Sequence, residues 1–549
     1  MAPLDLASCG LPHAWAHRPA WTVLDTDFRD GQHFLSTWRT WQNDPQRPHM
    51  LHYVGIVAAS QGSATVPELA EHVAGLGPGF HRIVLDRASV SLTLCVGNVL
   101  SELGEHVFQA DTLFARAPAD KWEVQALARR SKRGCRFWIS APGASDWLAA
   151  AGFKLNAFTP QSASLTGRFD PQWEIPDSRT PSEHVHTTPA RCAIVGAGVA
   201  GASVAHALAL RGWEVTVFDQ AVHPAAGASG LLVGLAVPHV SADDNPRSRL
   251  SRSGVHLLHQ HANRMLVRGQ DWSPCGVTEH RADGSKLWQG DACWIKPAAL
   301  VRAWLAHPRI RFVGSSRVFA LQRVGGVWQL GGDQRRDLGS FETVVVANAM
   351  GSANLLFGLH AGDSVNAELR NKLKEMQTVY GTLSHGSYAQ PMPGLPQTPV
   401  NGDGCFIPHV PYESGEQWFA GSTFETDASL VADQAAQHAA NMERLQHLLA
   451  RDGWREGVER LNRGTVSQWS GARCTTHDRF PLVGPVDAAS GPGLWLCAGM
   501  GARGLSFSAL CAELLVARLG AEPLPVALGL SRSLDVNRVR RRQPTRKEQ

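Results

Sequence analysis

The chain has 549 residues, 44% apolar and 18% charged, so it can bury cores and is not a disordered polymer; at roughly 150 residues per domain it holds two to four domains. Its 52 basic and 48 acidic residues leave a net charge of +4, which permits a polyanionic partner without demanding one. The ten cysteines stand singly with no CxxC pair, which excludes a zinc ribbon or a dense disulfide scaffold and fits a reducing cytoplasm.

The first 21 residues have no basic segment leading into an apolar run, so no signal peptide is expected. Residues 21–25, 51–57, 81–86, 91–97 and 135–140 read as strands, and residues 32–41 and 66–74 between them as helices. That alternation predicts a largely parallel sheet. Residues 170–190, DPQWEIPDSRTPSEHVHTTPA, carry four prolines and read as a linker. A second strand-helix start follows, then strand-rich stretches at 311–330 and 379–422 and a helical period over 434–449. The chain then closes with a strand, a glycine turn and a helix. Residues 531–549 form a basic, polar tail.

Residues 192–210 are long and apolar enough to suggest a membrane span, but Gly196, Gly198, Gly201 and His206 fit a strand, turn and helix better. Ala193-Ile194-Val195 is a short buried strand, and Gly196-Ala197-Gly198-Val199-Ala200-Gly201 follows at once. Gly196 permits the sharp turn, Gly198 lets a pyrophosphate approach the backbone, and Gly201 lets the helix pack on its strand. The helix N-terminus supplies free N–H groups and partial positive charge. Asp219, ending the next strand, can accept from both ribose hydroxyls and disfavours a 2′-phosphate, leaving FAD or NAD. Gly227-Ala228-Ser229-Gly230 follows that strand, and a second small-residue turn, Gly499 to Leu505, opens the last helix. The turn, with Gly501, Arg503, Gly504 and Leu505, can place N–H groups against a reduced isoalloxazine, which favours FAD.

These segments resemble the D-amino-acid oxidase and glycine oxidase superfamily of FAD enzymes. Residues 191–539 resemble more closely the oxidase half of the bifunctional tRNA 5-methylaminomethyl-2-thiouridine biosynthesis family. The matching stretches are GAGVAGASVAHALALRGW, GASG, CGVT (275–278), GARCTTHDRFPLVG (471–484) and ARGLSFSALCAELL. The likeness implies a Rossmann-like methyltransferase domain over 1–169, a linker over 170–190 and an FAD-binding α/β domain over 191–530, with an inserted antiparallel substrate sheet. It implies a cytoplasmic enzyme acting on the tRNA wobble uridine, whose oxidase half removes the carboxymethyl group of 5-carboxymethylaminomethyl uridine. Arg473 matches the position at which glycine-oxidase-like enzymes hold the substrate carboxylate, and a bidentate guanidinium suits that task. Arg503, beside the flavin turn, is the second candidate. Leu231 replaces a frequent Asn, and Tyr380-Gly381-Thr382 replaces an Arg-Gly-Gln strand.

The first domain departs further. The family's S-adenosylmethionine loop, E-x-G-F-G-x-G-x-N-F, reads here DTDFRDGQHF over residues 25–34, with Asp27 and Arg29 for two glycines and His33 for Asn. Val57 replaces the ribose-binding Glu, and Gly97-Asn98 replaces Gly-Asp; Asp111 keeps the family's acid. Losing these contacts at about 1–3 kcal/mol each weakens cofactor affinity by several decades. A degenerate methyltransferase is therefore expected, against the alternative that it still methylates the exposed amine.

Three histidines, His256, His259 and His261, do not converge on one helix face, and no metal site is expected. The basic runs 129–133 and 538–547 are candidate tRNA phosphate contacts, with solvated surface as the alternative. Two other functions stay open: an oxidase of free glycine or sarcosine with a structural first domain, and a tRNA-binding module that keeps flavin for stability.

Overall fold

The computed structural model describes residues 6–58, 66–73, 76–140, 144–157, 164–174, 188–359, 365–388, 394–450, 453–486 and 493–538. Most of the linker and residues 539–549 of the tail lie outside them. The chain divides into two compact units, one of residues 1–188 with 516–531, the other of residues 189–515 with 532–549.

The first unit is built on eight strands: Ala20–Asp25 (β1), Met50–Val57 (β2), Gly79–Leu85 (β3), Val90–Val96 (β4), Ala110–Arg116 (β5), Ser131–Ser140 (β6), Phe153–Leu155 (β7) and Leu165–Phe169 (β8). Their order is β3-β4-β2-β1-β5-β6-β8-β7. The central run from β4 to β6 is parallel; β3, β7 and β8 join antiparallel. All eight residues of β2, MLHYVGIV, are buried, as a strand covered on both faces requires. Its imidazole, His52, meets the Ser91 hydroxyl at 2.8 Å.

The second unit opens with Arg191–Val195 (β9) and Glu214–Phe218 (β10), parallel neighbours in a six-stranded sheet. The helix between them, Val199–Leu210, is buried over ten of its residues, and its small side chains allow close packing on both sides. A seven-stranded, mainly antiparallel sheet forms the second layer and contains Gln377–Ser387, Gly404–Tyr412, Gly415–Gly421 and Ser467–Thr475. The helix Gln434–Ala450 covers it, with Met442, Leu445, Leu448 and Leu449 at helical spacing packed with Phe406, Trp418 and Ala420. The α/β layout with a separate antiparallel sheet agrees with the sequence reading. Among the described residues no helix is long and apolar enough to cross a membrane.

Candidate functional site

The first glycine turn follows β9 directly. Gly196 has φ +107°, and a Cβ there would lie 2.7 Å from the Ala347 carbonyl oxygen. At Gly201 a Cβ would fall 1.9 Å from the Gly196 carbonyl oxygen, so helix and strand meet only because it is glycine. Gly198 caps the helix Val199–Leu210, and only the Ser229 side chain would meet a Cβ there. The Val199 N–H donates to Ser229 Oγ at 2.9 Å, which puts that hydroxyl at the end of the helix dipole. Asp219 accepts from the Ala197 and Ala221 N–H groups at 2.7 and 2.9 Å, fixing its carboxylate beside the turn.

These groups border a cavity of about 1230 Å³ lined by Gly196, Gly198, Asp219, Gly227, Ala228 and Ser229. Gly501, Arg503, Gly504 and Leu505 line it from the second turn, where Gly499 and Gly501 have φ of +73° and +56°. Gly230 is not among the lining residues. Its N–H closes the turn onto the Gly227 carbonyl at 2.8 Å, and a Cβ would press on the Ala225 carbonyl. The two glycine turns, the acid and the bare backbone between them fit FAD.

Arg473 enters the cavity wall from the strand Ser467–Thr475. Its Nη2 donates to Ser422 Oγ at 2.6 Å, and its guanidinium lies 5.0 Å from the Phe424 ring centre. Nη1 is buried with no hydrogen-bond partner. Burial lowers the pKa of Arg473 from the usual arginine value, and the nearby Cys405 thiol opposes this slightly. A buried guanidinium with an unspent N–H face is suited to a carboxylate. The packing that permits this is Gly381, whose Cβ would sit 2.4 Å from Arg473 Nη2. Gly381 pairs with Gly471 across the strands; the arginine lies over Gly381, and the Trp469 ring takes the space over Gly471. Sequence reading found Arg473 but not Ser422, Phe424 or the reason for Gly381; Ser422 is 51 residues away along the chain. Leu231 also lines the cavity, in an apolar group with Val233, Leu383 and Ile407.

In the first unit, the loop after β1 is filled from within. Asp25 is fully buried and accepts from the Asp27 N–H at 2.8 Å and the Tyr53 hydroxyl at 2.7 Å. His33 Nδ1 lies 3.3 Å from Asp25, close enough for ion pairing though not aligned as a hydrogen bond. Burial lowers the His33 pKa, but the interaction with Asp25 outweighs it and the net shift is upward. Arg29 takes φ +45°, a left-handed geometry that glycine would adopt more easily, and is held by Asp27. The Phe28 ring lies 2.3 Å from where a Gly55 Cβ would be, occupying the space over β2. Asn98 caps the helix Val99–Gly104 through the N–H groups of Leu100 and Ser101.

One family correspondence fails. Asp111 stands near the start of β5, where it accepts from the Thr22 N–H and from Lys132 Nζ at 2.8 Å to both oxygens. A parallel sheet binds ligands at the carboxyl ends of its strands, so Asp111 lies at the wrong edge for a cofactor.

The histidine group is spent on packing: His261 is buried and accepts from Trp304 Nε1 at 3.0 Å, and His259 stacks edge-on to Trp272. Two cations of the run 129–133 are also engaged. Lys132 pairs with Asp111, and Arg133 holds Asp170 and the Pro171 and Trp173 carbonyls. Arg538 grips both oxygens of Asp478 at 2.8 Å.

A family model described as FAD dependent oxidoreductase matches residues 191–287 and 277–518. The chain is 43% identical to the tRNA 5-methylaminomethyl-2-thiouridine biosynthesis bifunctional protein MnmC of Albidiferax ferrireducens, over 97% of this chain and 95% of that one. It is 38% identical to the protein of the same name from Polaromonas naphthalenivorans, over 98% and 93%. Among solved structures, glycine oxidase from Geobacillus kaustophilus aligns with a TM-score of 0.50 at 19% identity, covering 64% of this chain and all of that one, which is a likeness of fold.

Proposed function

The chain belongs to the family of bifunctional tRNA 5-methylaminomethyl-2-thiouridine biosynthesis proteins, its second unit to the FAD dependent oxidoreductases, and on that premise we propose that it oxidises a glycine-like substituent on a tRNA wobble uridine. The substrate is 5-carboxymethylaminomethyl uridine, with or without the 2-thio group, and the product is the 5-aminomethyl nucleoside. FAD, when bound, supplies the two-electron oxidation of the C–N bond. Water hydrolyses the resulting imine, releasing glyoxylate.

The chain's own part is placement. Arg473 holds the substrate carboxylate, with Ser422 fixing one edge of the guanidinium so that the buried Nη1 side faces the ligand. Gly198, Ser229 and the helix start at Val199 receive the pyrophosphate, and Asp219 the ribose. Gly501, Gly504 and Leu505 present backbone to the flavin, while Leu231, Leu383 and Ile407 keep one wall apolar and exclude water. No protein base is needed, because the departing α-hydrogen leaves with its electron pair. The observation that carries this reading is the buried, half-satisfied guanidinium of Arg473 in the wall of a cavity bordered by both glycine turns.

In this chain we read the first unit as a methyltransferase fold whose cofactor loop is closed by its own side chains. Asp25 is spent on Tyr53 and Asp27, and Phe28 fills the space above Gly55. The deciding experiment is nucleoside mass spectrometry of tRNA bearing the carboxymethylaminomethyl group, incubated with protein, air and S-adenosylmethionine. The aminomethyl nucleoside alone is expected. A methylaminomethyl product refutes the reading of the first unit; an unchanged nucleoside with bound flavin refutes the tRNA assignment and turns attention to free glycine and sarcosine.

A further inference from the structure

Three arginines from three separate segments of the second unit converge beside the flavin cavity, and among the described residues none of them is ion-paired to a carboxylate. Arg503 ends the second glycine turn and lines the cavity. The turn 476–480 lies against it: a Cβ at Gly499 would meet Thr476 at 2.7 Å, and Thr475 bridges to Met500. That turn presents Arg479, which is solvent-exposed with φ +62°. The long helix Pro246–Met265 packs on the closing helix so tightly that a Gly254 Cβ would fall 1.7 Å from the Ser506 carbonyl oxygen. Its first turn brings in Arg247, whose guanidinium lies 5.6 Å from the Phe480 ring centre and 3.5 Å from the Asp478 carbonyl oxygen.

Counter-charge is short there. Asp478 has both carboxylate oxygens committed to Arg538. Glu279, the carboxylate acting on Arg503, is bound by Gln289 at 2.8 Å. The first turn of the helix Pro246–Met265 contains no acid, so its dipole adds positive potential around Arg247. Arg247 Nε is buried with no partner. Among the described residues, Arg479 and Arg503 make no ion pair. Burial, and then the neighbouring guanidinium groups, lower the pKa values of Arg247 and Arg503.

We propose that Arg247, Arg479 and Arg503 form a phosphodiester clamp beside the flavin cavity, which takes the backbone of the RNA loop carrying the substrate base. This rests on the tRNA reading above and deepens it, because Lys132, Arg133 and Arg538 of the two basic runs are held by internal partners. Planar guanidinium groups match phosphate oxygens, and an uncompensated cluster gains most from an anion. Arg503 touches both the cavity and the cluster, so a phosphate held there keeps the modified base within reach of Arg473.

The test is equilibrium binding of a fluorescent, unmodified anticodon stem-loop to the flavin-loaded protein over a salt series. Arg479→Gln, a surface change, and Arg247→Gln are each expected to weaken binding roughly five- to tenfold at low salt and to reduce the log–log salt slope by about 0.7. Arg247→Lys should restore the slope while recovering affinity only in part. Retained flavin absorbance and an unchanged melting temperature show that each variant is folded. Affinity and slope unchanged in both glutamine variants overturn the clamp, as does wild-type binding with no salt dependence. If the wild-type protein leaves the modified nucleoside unoxidised while the variants still lose stem-loop affinity, the oxidase assignment falls and the clamp stands.

Discussion

Gly381→Ala isolates the positioning of Arg473 from its presence. The added methyl would lie 2.4, 2.7 and 2.9 Å from Nη2, Cζ and Nη1 of Arg473, and ordinary contact begins at 3.4 Å. The guanidinium must therefore move by about 1 Å. Arg473 is the flexible end of a long side chain and Gly381 lies in a strand, so the move costs little stability, about 1 kcal/mol or less. It does break the 2.6 Å bond to Ser422 and turns the unpartnered Nη1 edge away from its direction. A misplacement of about 1 Å in a substrate-holding group lowers kcat/KM roughly 100-fold, equal to about 2.7 kcal/mol of transition-state binding. The assay is anaerobic flavin reduction by modified tRNA, followed by absorbance, with thermal unfolding run in parallel. Flavin reduction at the wild-type rate in a normally folded Gly381→Ala protein would show that Arg473 does not hold the carboxylate.

Gly201→Ala places a methyl 1.9 Å from a backbone oxygen that cannot swing aside, so the fingerprint helix must shift; purified protein should be colourless, and supplemented FAD should fail to restore the flavin spectrum. Arg211 and Glu513 form a pair with each side chain about 7% exposed and Nη2–Oε2 at 3.0 Å; Glu513→Gln removes the charge that balances this buried guanidinium and should cost about 3–5 kcal/mol in urea unfolding. His33 has its folded pKa raised above the ordinary 6.5, so its contribution to stability is full below that value and is lost as pH rises through the folded value. The first unit's melting temperature should therefore fall between about pH 6 and 8, and His33→Asn should flatten the decline; a wild-type curve as flat as the variant's removes the Asp25–His33 interaction as the cause.

The parts of the site legible in the sequence are those that depend on backbone geometry over a few residues. A turn of φ +107° demands Gly196, a helix packed so close that a Cβ would fall 1.9 Å from a carbonyl oxygen demands Gly201, and Asp219 follows at the end of the next strand. The apolar period of 434–449 likewise carries its own helix and its buried face. Such features are local, and residue type alone settles them.

What lies around Arg473 was settled only in three dimensions. Strand register sets Gly381 and Gly471 opposite one another, and Ser422 arrives from a different strand end. Tertiary packing also moved two sequence signals. Asp111 matches a cofactor acid by position, yet parallel pairing puts it at the amino edge of the sheet, tied to Lys132. The basic run 129–133 reads as surface charge, yet Asp170 and nearby carbonyls absorb Arg133, while the unneutralised charge collects from Arg247, Arg479 and Arg503, which are far apart along the chain. A sequence counts charges, but whether each is balanced depends on which neighbours the folded chain brings within a few ångströms, because electrostatic and hydrogen-bond energies fall away over that distance.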